Sequence, residues 1–295
     1  MSAALDATPA TPGLAFSEVE GRTRKAVPVL FVHGFGHHRG VWQGTIDRLG
    51  DRWRRIALDL RGHGDSPWSP ECAYDLDDYA RDIGPLLDRL DVDAAHVVAH
   101  SMGGQVAMLF AAAHPRRVKS LTLVDTGPVL RTDGSAHVIG EVDQAFRIYR
   151  SASDYRRALG QLHPFAEGSL LDSMAEAGLC RRLDGRFELA LDPGVMGSAS
   201  RAAAGTPTRS DVETTEHEER LWSCFRAIQA PKLVTRGRLS SILAEDAARA
   251  MERVGGADCR LVQFDGAGHA IMIDACADFA TELAEFLDRI EGARP

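Results

Sequence analysis

Short apolar runs alternate along this chain with segments in which apolar residues recur every three or four positions. The apolar runs, which are rich in β-branched or other aliphatic residues, are residues 27–32, 55–60, 94–98, 118–124, 231–237 and 260–264. Such runs are typical of strands that are buried on both faces of a parallel sheet. The helical spacing is clearest in residues 76–90, 244–254 and 279–290. Because strands alternate with helices, the chain is predicted to form an α/β fold whose mostly parallel sheet is covered by helices.

The alternation is interrupted between residues 129 and 230, where strand patterns are scarce. Short amphipathic helices are predicted there, in residues 142–159, 170–183 and 221–228. Residues 198–219 are polar and rich in Thr, Ala and Glu, which favours a mobile loop. The predicted organisation has three parts: a flexible tail of residues 1–13, an α/β core of residues 14–128 and 231–295, and an inserted helical cap of residues 129–230.

Charge and cysteine content narrow the classes of function. The 295 residues carry a formal net charge of −8, which offers no basic face for nucleic acid or for an acidic membrane surface. No apolar run approaches the about 20 residues that a transmembrane helix needs. The five cysteines are scattered without a Cys-x-x-Cys pair, so neither a disulfide framework nor a zinc site is indicated. We therefore expect a cytoplasmic protein that acts on small molecules and has neither nucleic-acid nor membrane partners.

A candidate nucleophile lies where a predicted strand runs into an alanine-rich helix. Residues 99–104 read A-H-S-M-G-G, and the helical pattern continues over residues 105–113. A serine at such a turn is typical of a nucleophile elbow, which exposes the hydroxyl and leaves almost no room for side chains two residues before and two residues after it. Ala99 and Gly103 are small enough, although glycine is usual at the first position. Ser101 is therefore the candidate nucleophile, with a serine in an ordinary turn as the alternative.

A serine hydroxyl is a weak nucleophile, so it needs a histidine base, and the base needs a carboxylate to orient it. In nucleophile-elbow enzymes these residues follow in the order serine, acid, histidine. His269 fits the last position, because small residues flank it just after the run 260–264. A metal site formed by His33, His37 and His38 is an alternative use of histidine, but the carboxylate and the spacing of known sites are missing. The predicted chemistry requires no metal and no cofactor.

Acyl transfer also needs hydrogen-bond donors where negative charge develops on the carbonyl oxygen. The backbone N–H of Met102 is one expected donor, because it directly follows the nucleophile at the start of its helix. The backbone N–H of Phe35 is the other, in the loop H-G-F-G of residues 33–36. His33 is expected to hold this loop in place. The side chains of Phe35 and Met102 are then free to line a substrate pocket.

Together these motifs resemble the α/β-hydrolase fold superfamily. The segments that carry the resemblance are H-G-F-G at residues 33–36, D-L-R-G-H-G-D-S at 59–66, A-H-S-M-G-G at 99–104 and G-H at 268–269. The resemblance implies an eight-stranded, mostly parallel sheet, a helical cap between the sixth and seventh strands, and a Ser-His-acid triad at the strand ends. Since residues 14–20 are the only strand predicted before residue 27, a seven-stranded sheet is the alternative. The families that the chain is most similar to are capped esterases, lactonases and carbon-carbon bond hydrolases.

The position of the acid stays open at this point. In most members of the superfamily the acid follows the seventh strand, but residues 237–243 contain no carboxylate and Ser240 occupies the expected position. Glu245 and Asp246 come next, at a predicted helix start where the helix dipole and capping explain acidic residues. Asp125 ends the strand beside the elbow strand, where some similar dehalogenases are thought to carry their acid. Asp125 is therefore the candidate, with a turn-forming aspartate as the alternative.

Three functions are compatible with these residues. The first is a serine hydrolase that cleaves a small to medium, largely apolar ester, lactone or thioester through an acyl-enzyme on Ser101, with His269 and Asp125 completing the triad. The second uses the same triad for carbon-carbon bond hydrolysis or for biosynthetic acyl transfer or cyclisation, since exclusion of water decides what meets the acyl-enzyme. The third is a non-catalytic binding protein on this scaffold, which the presence of both serine and histidine disfavours. Side chains of the cap that are candidates for lining the pocket, with packing inside the cap as the alternative, are Phe146, Tyr149, Leu171, Met174, Trp222 and Phe225.

Overall fold

The computed structural model describes residues 13–22, 26–131, 147–195 and 211–292. Its strands are β1 (Phe16–Val19), β2 (Val29–Val32), β3 (Arg55–Leu58), β4 (Ala95–His100), β5 (Val118–Val124), β6 (Leu179–Arg181), β7 (Phe187–Leu189), β8 (Lys232–Gly237) and β9 (Cys259–Phe264). Seven of them form one sheet in the order β1-β3-β2-β4-β5-β8-β9. β1 is antiparallel to β3, and the other neighbours are parallel. The mostly parallel sheet is thus confirmed, and in the described residues it has seven strands.

Helices connect the strands, as their spacing in the sequence predicts. The helices of the described residues are α1 (Gln43–Arg48), α2 (Leu76–Arg89), α3 (Met102–Ala113), α4 (Ala152–Leu162), α5 (Gly168–Ala177), α6 (Asp211–Ala227), α7 (Glu245–Val254), α8 (Ile271–Asp274) and α9 (Cys276–Gly292). Short 3₁₀ helices cover Arg39–Trp42 and Pro115–Arg117. α2 packs on α3, α3 packs on α6, and α1 packs on α9. Within the part of the chain that the structure describes, no helix is long and apolar enough to cross a membrane.

The candidate site forms where the central strands of the sheet end. β2 and β4 are buried along their whole length, because continuous apolar runs suit strands that are covered on both faces. Ala99 of β4 is in register with Val32 of β2 on one side and with Leu123 of β5 on the other. The carboxyl ends of these parallel strands therefore meet at one edge, and the loops that follow them carry Phe35, Ser101 and Asp125.

The segment between β5 and β8 differs in detail from its prediction. The helix predicted over residues 142–159 begins only at Ala152, because the Ser151 side chain caps it by accepting a hydrogen bond from the N–H of Asp154 (3.2 Å). Residues 147–151 are not helical, and residues 142–146 lie outside the described residues. Among the described residues, β5 and β8 are the fifth and sixth strands of the sheet along the chain, so the predicted place of the insertion, between a sixth and a seventh strand, is not confirmed. Its division from the core as a separate cap stays a prediction.

Two further expectations for this segment are wrong. The helix predicted over residues 170–183 ends at Ala177, and β6 and β7 then form a small antiparallel hairpin where no strand was expected. Gly185 lies in the hairpin turn with a φ of 81°, a conformation that glycine adopts without strain. The polar stretch predicted as a loop over residues 198–219 is helical from Asp211 onward, in α6. Its first part, residues 198–210, lies outside the described residues.

Candidate active site

Ser101 lies in the sharp turn between β4 and α3. Its backbone has a φ of 52° and a ψ of −126°. Residues other than glycine rarely adopt this conformation, because it is strained. Two hydrogen bonds hold this turn: the N–H of Ser101 donates to the carbonyl oxygen of Val124 (3.2 Å), and the hydroxyl of Thr126 donates to the carbonyl oxygen of Ser101 (2.8 Å). The end of β5 and the loop after it therefore hold the strained backbone of the elbow in place.

The small residues around the elbow are required by close backbone approach. A Cβ atom on Gly103 would lie 2.2 Å from the carbonyl oxygen of His33. A Cβ on Gly34 would lie 2.9 Å from the Cβ of Ser101. The loop after β2 and the first turn of α3 thus pack on each other with no space for a side chain. This contact brings the backbone of residues 33–36 beside the serine.

Replacement of Gly103 with alanine is expected to lower the free energy of unfolding by about 1–3 kcal/mol, because a buried backbone oxygen must move to admit the methyl group. Urea denaturation measures this loss. The matched control is Gly160→Ala in α4, where the new Cβ meets only the Leu171 side chain at 3.6 Å. That control should be neutral or stabilise the protein by up to about 1 kcal/mol, because alanine is the better helix former. Equal stability of the Gly103 variant and the wild type would contradict the close packing of the elbow.

His269 bridges the serine and an aspartate. Its Nε2 lies 2.9 Å from the Oγ of Ser101, and its Nδ1 lies 2.7 Å from the Oδ2 of Asp125. With the Nδ1–H donating to the carboxylate, Nε2 is free to accept the serine proton. The structure therefore brings together the three side chains that the motif order selects, at hydrogen-bond distance.

The carboxylate of Asp125 is fully buried and well supplied with donors. Its Oδ1 accepts the backbone N–H of Gly237 at 3.0 Å, and its Oδ2 accepts both the hydroxyl of Ser240 and the Nδ1–H of His269. Ser240 thus occupies the position where the acid is more often found and binds the acid that follows the neighbouring strand. Sequence reasoning noticed the serine but assigned it no role. A buried carboxylate is stable when donors of this kind satisfy it.

The other two acidic candidates lie away from this network. Glu245 and Asp246 begin α7, where the carboxylate of Glu245 pairs with Arg249 one turn later at 2.7 Å. The Asp246 side chain accepts the N–H of Ala247 in the same turn. Both residues thus serve the start of the helix, as the dipole argument predicts.

Two backbone donors next to Ser101 have no partner among the described residues. The N–H groups of Phe35 and Met102 donate no hydrogen bond within the described part of the chain. Met102 is the first residue of α3, so its N–H belongs to the group at a helix start that lacks an intrahelical acceptor. Phe35 follows Gly34, whose backbone contacts the elbow. These are the positions at which sequence reasoning expects the donors to a developing oxyanion.

Buried histidines stabilise the loop that carries Phe35. The Nδ1–H of His33 donates to the carbonyl oxygen of Gly34 (2.7 Å), and its Nε2 accepts the N–H of Leu60 (2.9 Å). The Nε2 of His63 accepts the N–H of Gly36 at 3.2 Å. Burial holds the pKa of His33 well below its usual value and lowers the pKa of His63 to about 4. Both rings are therefore neutral hydrogen-bonding supports.

The proposed alternative of a metal site has no structural support among the described residues, which contain no cluster of three potential ligands. Both ring nitrogens of His38 are occupied, by the N–H of Gly40 (3.1 Å) and the carbonyl oxygen of Met174 (3.1 Å). His37 instead stacks on His100, with ring centroids 5.5 Å apart. Burial lowers the pKa of His37 to about 3, so this ring is also neutral near pH 7.

A cavity of about 460 Å³ opens over Ser101 and His269. Its apolar lining comes largely from α4 and from the loop after β8, namely Tyr155, Ala158, Leu159, Leu162, Leu239 and Ile242. Its polar lining includes His37, Arg147, Gln161, His163 and Asp274. Phe35 and Tyr149, both named from the sequence, also line it. The cavity is large enough for a small or medium organic substrate.

Other residues named from the sequence as lining the pocket lie elsewhere or outside the description. The ones that do not line this cavity are Met102, Leu171, Met174, Trp222 and Phe225. Phe225 is fully buried, and the ring of Trp222 packs edge-on against it with centroids 6.1 Å apart. Leu171 and Met174 are buried where α5 packs on α4, and Met102 packs against the core. Helical spacing identifies the buried face of a helix but does not say which space that face adjoins. Phe146 lies outside the described residues.

Comparisons with known proteins agree with this architecture. A family model for the alpha/beta hydrolase fold matches residues 27–275. The chain is 29% identical over 243 residues to the 2-(acetamidomethylene)succinate hydrolase of Mesorhizobium japonicum, which covers 82% of this chain and 81% of that protein. The crystal structure of E-2-(acetamidomethylene)succinate hydrolase is similar with a TM-score of 0.79 and 26% identity, over 93% of this chain and 95% of that one.

A second relative is named as an acetyltransferase component. The chain is 30% identical over 262 residues to the dihydrolipoyllysine-residue acetyltransferase component of the acetoin cleaving system of Pseudomonas putida. The match covers 88% of this chain but 63% of that protein, so the chain spans less than two thirds of its length. The family model, in contrast, covers most of this chain. The chain therefore belongs to the alpha/beta hydrolase fold family and is a hydrolytic enzyme.

Proposed function

We propose that this protein is a serine hydrolase that cleaves a small to medium, largely apolar ester, lactone or thioester through an acyl-enzyme on Ser101. The observation that carries the proposal is the continuous hydrogen-bonded series from Ser101 through His269 to the buried Asp125, which opens on the cavity. Nucleophile, base and orienting acid then have the mutual geometry that acyl transfer requires.

In the first half of the reaction, the Oγ of Ser101 attacks the carbonyl carbon and its proton passes to the Nε2 of His269. The oxyanion that forms accepts hydrogen bonds from the backbone N–H groups of Phe35 and Met102, which are otherwise unpaired among the described residues. Asp125 keeps the His269 ring in the required tautomer and stabilises its cation. The bond to the leaving group then breaks, and the leaving oxygen or sulfur takes the proton from Nε2.

In the second half, water enters and His269 accepts one of its protons. The hydroxide attacks the acyl carbon, the bond to Oγ breaks, and the proton returns from Nε2 to Ser101. The acid leaves and the free enzyme is restored. The apolar side chains of α4 that line the cavity support an acyl or alkyl group of small to medium size.

A second candidate substrate is an N-acylated molecule that bears a carboxylate. The relative from Mesorhizobium japonicum is named for a dicarboxylate with an acetamide group, and Arg147 lines the cavity of this chain. A guanidinium group recognises carboxylates well, through paired hydrogen bonds. The same attack by Ser101 on an amide carbonyl would transfer the acyl group to Oγ and break the bond to nitrogen, which takes the proton from Nε2 of His269. Water would then release the acid from Ser101 as above.

A substrate panel separates these possibilities. It contains p-nitrophenyl esters of increasing acyl length, lactones, thioesters and an N-acetylated dicarboxylic acid, each assayed with the wild type and with Ser101→Ala. We expect the value of kcat/KM to be highest for short or medium acyl chains and to fall once the chain exceeds a cavity of about 460 Å³. A preference for the N-acetylated acid, lost in Arg147→Gln, would support the second candidate.

Labelling with a fluorophosphonate completes the test. A wild type that reacts at Ser101 but turns over nothing in the panel would favour carbon-carbon bond hydrolysis or acyl transfer to an acceptor other than water. A folded wild type that does not react at Ser101 would contradict the proposed function and favour a binding protein.

A further inference from the structure

Asp274 is a carboxylate of the cavity that the reaction above does not use. It is the last residue of α8, and its side chain is 13% exposed. One carboxylate oxygen, Oδ2, accepts the backbone N–H of Gly268 at 3.0 Å. The other, Oδ1, lies 2.9 Å from the Nδ1 of His163. Each oxygen of Asp274 is thus engaged with a different part of the molecule.

The two hydrogen-bond partners of Asp274 belong to different segments of the chain. Gly268 directly precedes His269, the candidate base. His163 is the C-terminal cap of α4, the helix that supplies much of the apolar lining of the cavity. Asp274 therefore connects the segment that bears the histidine to a helix that lines the cavity.

Besides the bond from Gly268 to Asp274, two other hydrogen bonds hold the His269 segment. The carbonyl oxygen of Ala267 accepts the N–H of Leu239 (3.0 Å), and the carbonyl oxygen of His269 accepts the Nε2–H of His100 (3.0 Å). Both of these donors follow or end strands of the central sheet. The bond from Gly268 to Asp274 is the one that leads, through the same carboxylate, to α4.

Other polar contacts tie α4 and α5 to the rest of the molecule without touching this segment. Arg48 of α1 pairs with Glu167, which precedes α5. The Nε2–H of His38 donates to the carbonyl oxygen of Met174 in α5. Among the hydrogen bonds and ion pairs of the described residues, the His163–Asp274 pair alone joins these helices to the residues beside His269.

We propose that Asp274 is a positioning residue that couples the seating of α4 over the cavity to the orientation of His269. The inference rests on the proposed function of Ser101 and His269. A carboxylate suits this role because its two oxygens accept hydrogen bonds from two directions at once. With α4 seated, Oδ1 is held by His163, and Oδ2 then fixes the peptide that leads into His269. When α4 moves away, that peptide loses a fixed acceptor and the imidazole loses alignment with Ser101.

The test compares four single variants and one double variant on the best ester of the panel and in fluorophosphonate inactivation. Asp274→Ala removes both hydrogen bonds, and we expect kcat to fall about 10- to 100-fold, with a smaller change in KM, since a displacement of the base of about 1 Å has costs of this size. Asp274→Asn keeps an acceptor for Gly268, and its N–H₂ can donate to Nδ1 of His163 once that ring takes its other neutral tautomer, so kcat should stay within about threefold of the wild type. The rate of inactivation should follow kcat, because it depends on the same serine and histidine.

His163→Phe keeps a ring in place and removes the hydrogen bond between the end of α4 and Asp274. We expect it to lower kcat as well as to change KM, and in the double variant with Asp274→Ala to add little to the loss, because the two residues act as one unit. The matched control is Glu167→Gln, which weakens a contact between α5 and α1 without touching the His269 segment. It should leave kcat unchanged.

The outcomes distinguish this inference from the proposed function. A wild type that does not react with fluorophosphonate at Ser101 overturns both. A reactive wild type with Asp274→Ala equal to Glu167→Gln overturns the positioning role alone, as does an Asn variant as poor as the Ala variant. If Asp274→Ala does not fold, His163→Phe decides: a change confined to KM makes His163 a wall of the cavity and overturns the coupling, whereas a fall in kcat supports it.

Discussion

Replacing Ser101 with alanine is expected to lower kcat for the best ester by about 10⁶-fold, the loss found when the nucleophile of a serine protease is removed. Without the hydroxyl, no acyl-enzyme can form, and the remaining donors at Phe35 and Met102 stabilise only the slow attack by water. His269→Ala should have an effect of similar size, because the serine then has no base within reach. The double variant should be no slower than either single one, since the two residues act together.

The matched control for this prediction is Ser241→Ala. Ser241 also lines the cavity, but the structure gives it no hydrogen bond to His269 or Asp125, so its loss should leave kcat nearly unchanged. Thermal unfolding of all the variants shows whether they keep the fold. A folded His269→Ala enzyme with most of its activity would remove His269 from the catalytic role.

The second large effect concerns the acid. Asp125→Asn is expected to lower kcat by about 10⁴-fold, the cost of the corresponding change in a serine protease. The amide that replaces the carboxylate carries a donor, so it favours the wrong tautomer of His269 and cannot stabilise the imidazolium. Gly237 donates to Oδ1 of this side chain, whereas Ser240 and His269 share Oδ2. An asparagine whose oxygen takes the Oδ1 position to accept from Gly237 therefore places its N–H₂ at the Oδ2 position, facing the histidine. Steady-state kinetics over a range of pH measure the loss.

The position of Ser240 allows a rescue of that variant. Its hydroxyl already contacts the carboxylate of Asp125, so Ser240→Asp in the Asp125→Asn background puts a carboxylate next to the same histidine. Partial recovery of kcat would show that both strand ends can supply the acid. The companion Ser240→Ala variant, which removes one donor and leaves Asp125 in place, should lose far less activity than Asp125→Asn. Near wild-type activity in Asp125→Asn alone would contradict the assignment of the acid.

The fold was predictable from the sequence because its strongest signals are local. The strand predicted over residues 118–124 coincides with β5, and the helix predicted over residues 244–254 differs from α7 by one residue. A continuous run of β-branched residues, or apolar residues at helical spacing, can be recognised without knowing which elements pack against it. The elbow was also predictable, because its small residues are a local pattern. The structure adds the reason for Gly103, which is the close approach of the carbonyl oxygen of His33.

What the sequence did not reveal depends on partners distant in the chain. Ser240 was recognised as a replacement for the usual acid, but its bond to Asp125 joins residues 115 positions apart. Phe225 and Tyr149 both fit an apolar face of the middle segment. Only the packing of α6 on α3 places Phe225 in the interior, while Tyr149 lines the cavity. The hairpin of β6 and β7 was missed because its strands are three residues long, too short for a periodic pattern to be seen.

The role of Ser101 is tested most directly by the mass of the intact enzyme after reaction with a fluorophosphonate, followed by mapping of the modified peptide. We expect one adduct per chain, located on Ser101. It should form on the wild type and on Ser241→Ala, be absent from Ser101→Ala, and form far more slowly on His269→Ala and Asp125→Asn. An adduct on a different residue of the folded wild type, or none at all, would contradict the claim that Ser101 is a nucleophile activated by His269 and Asp125.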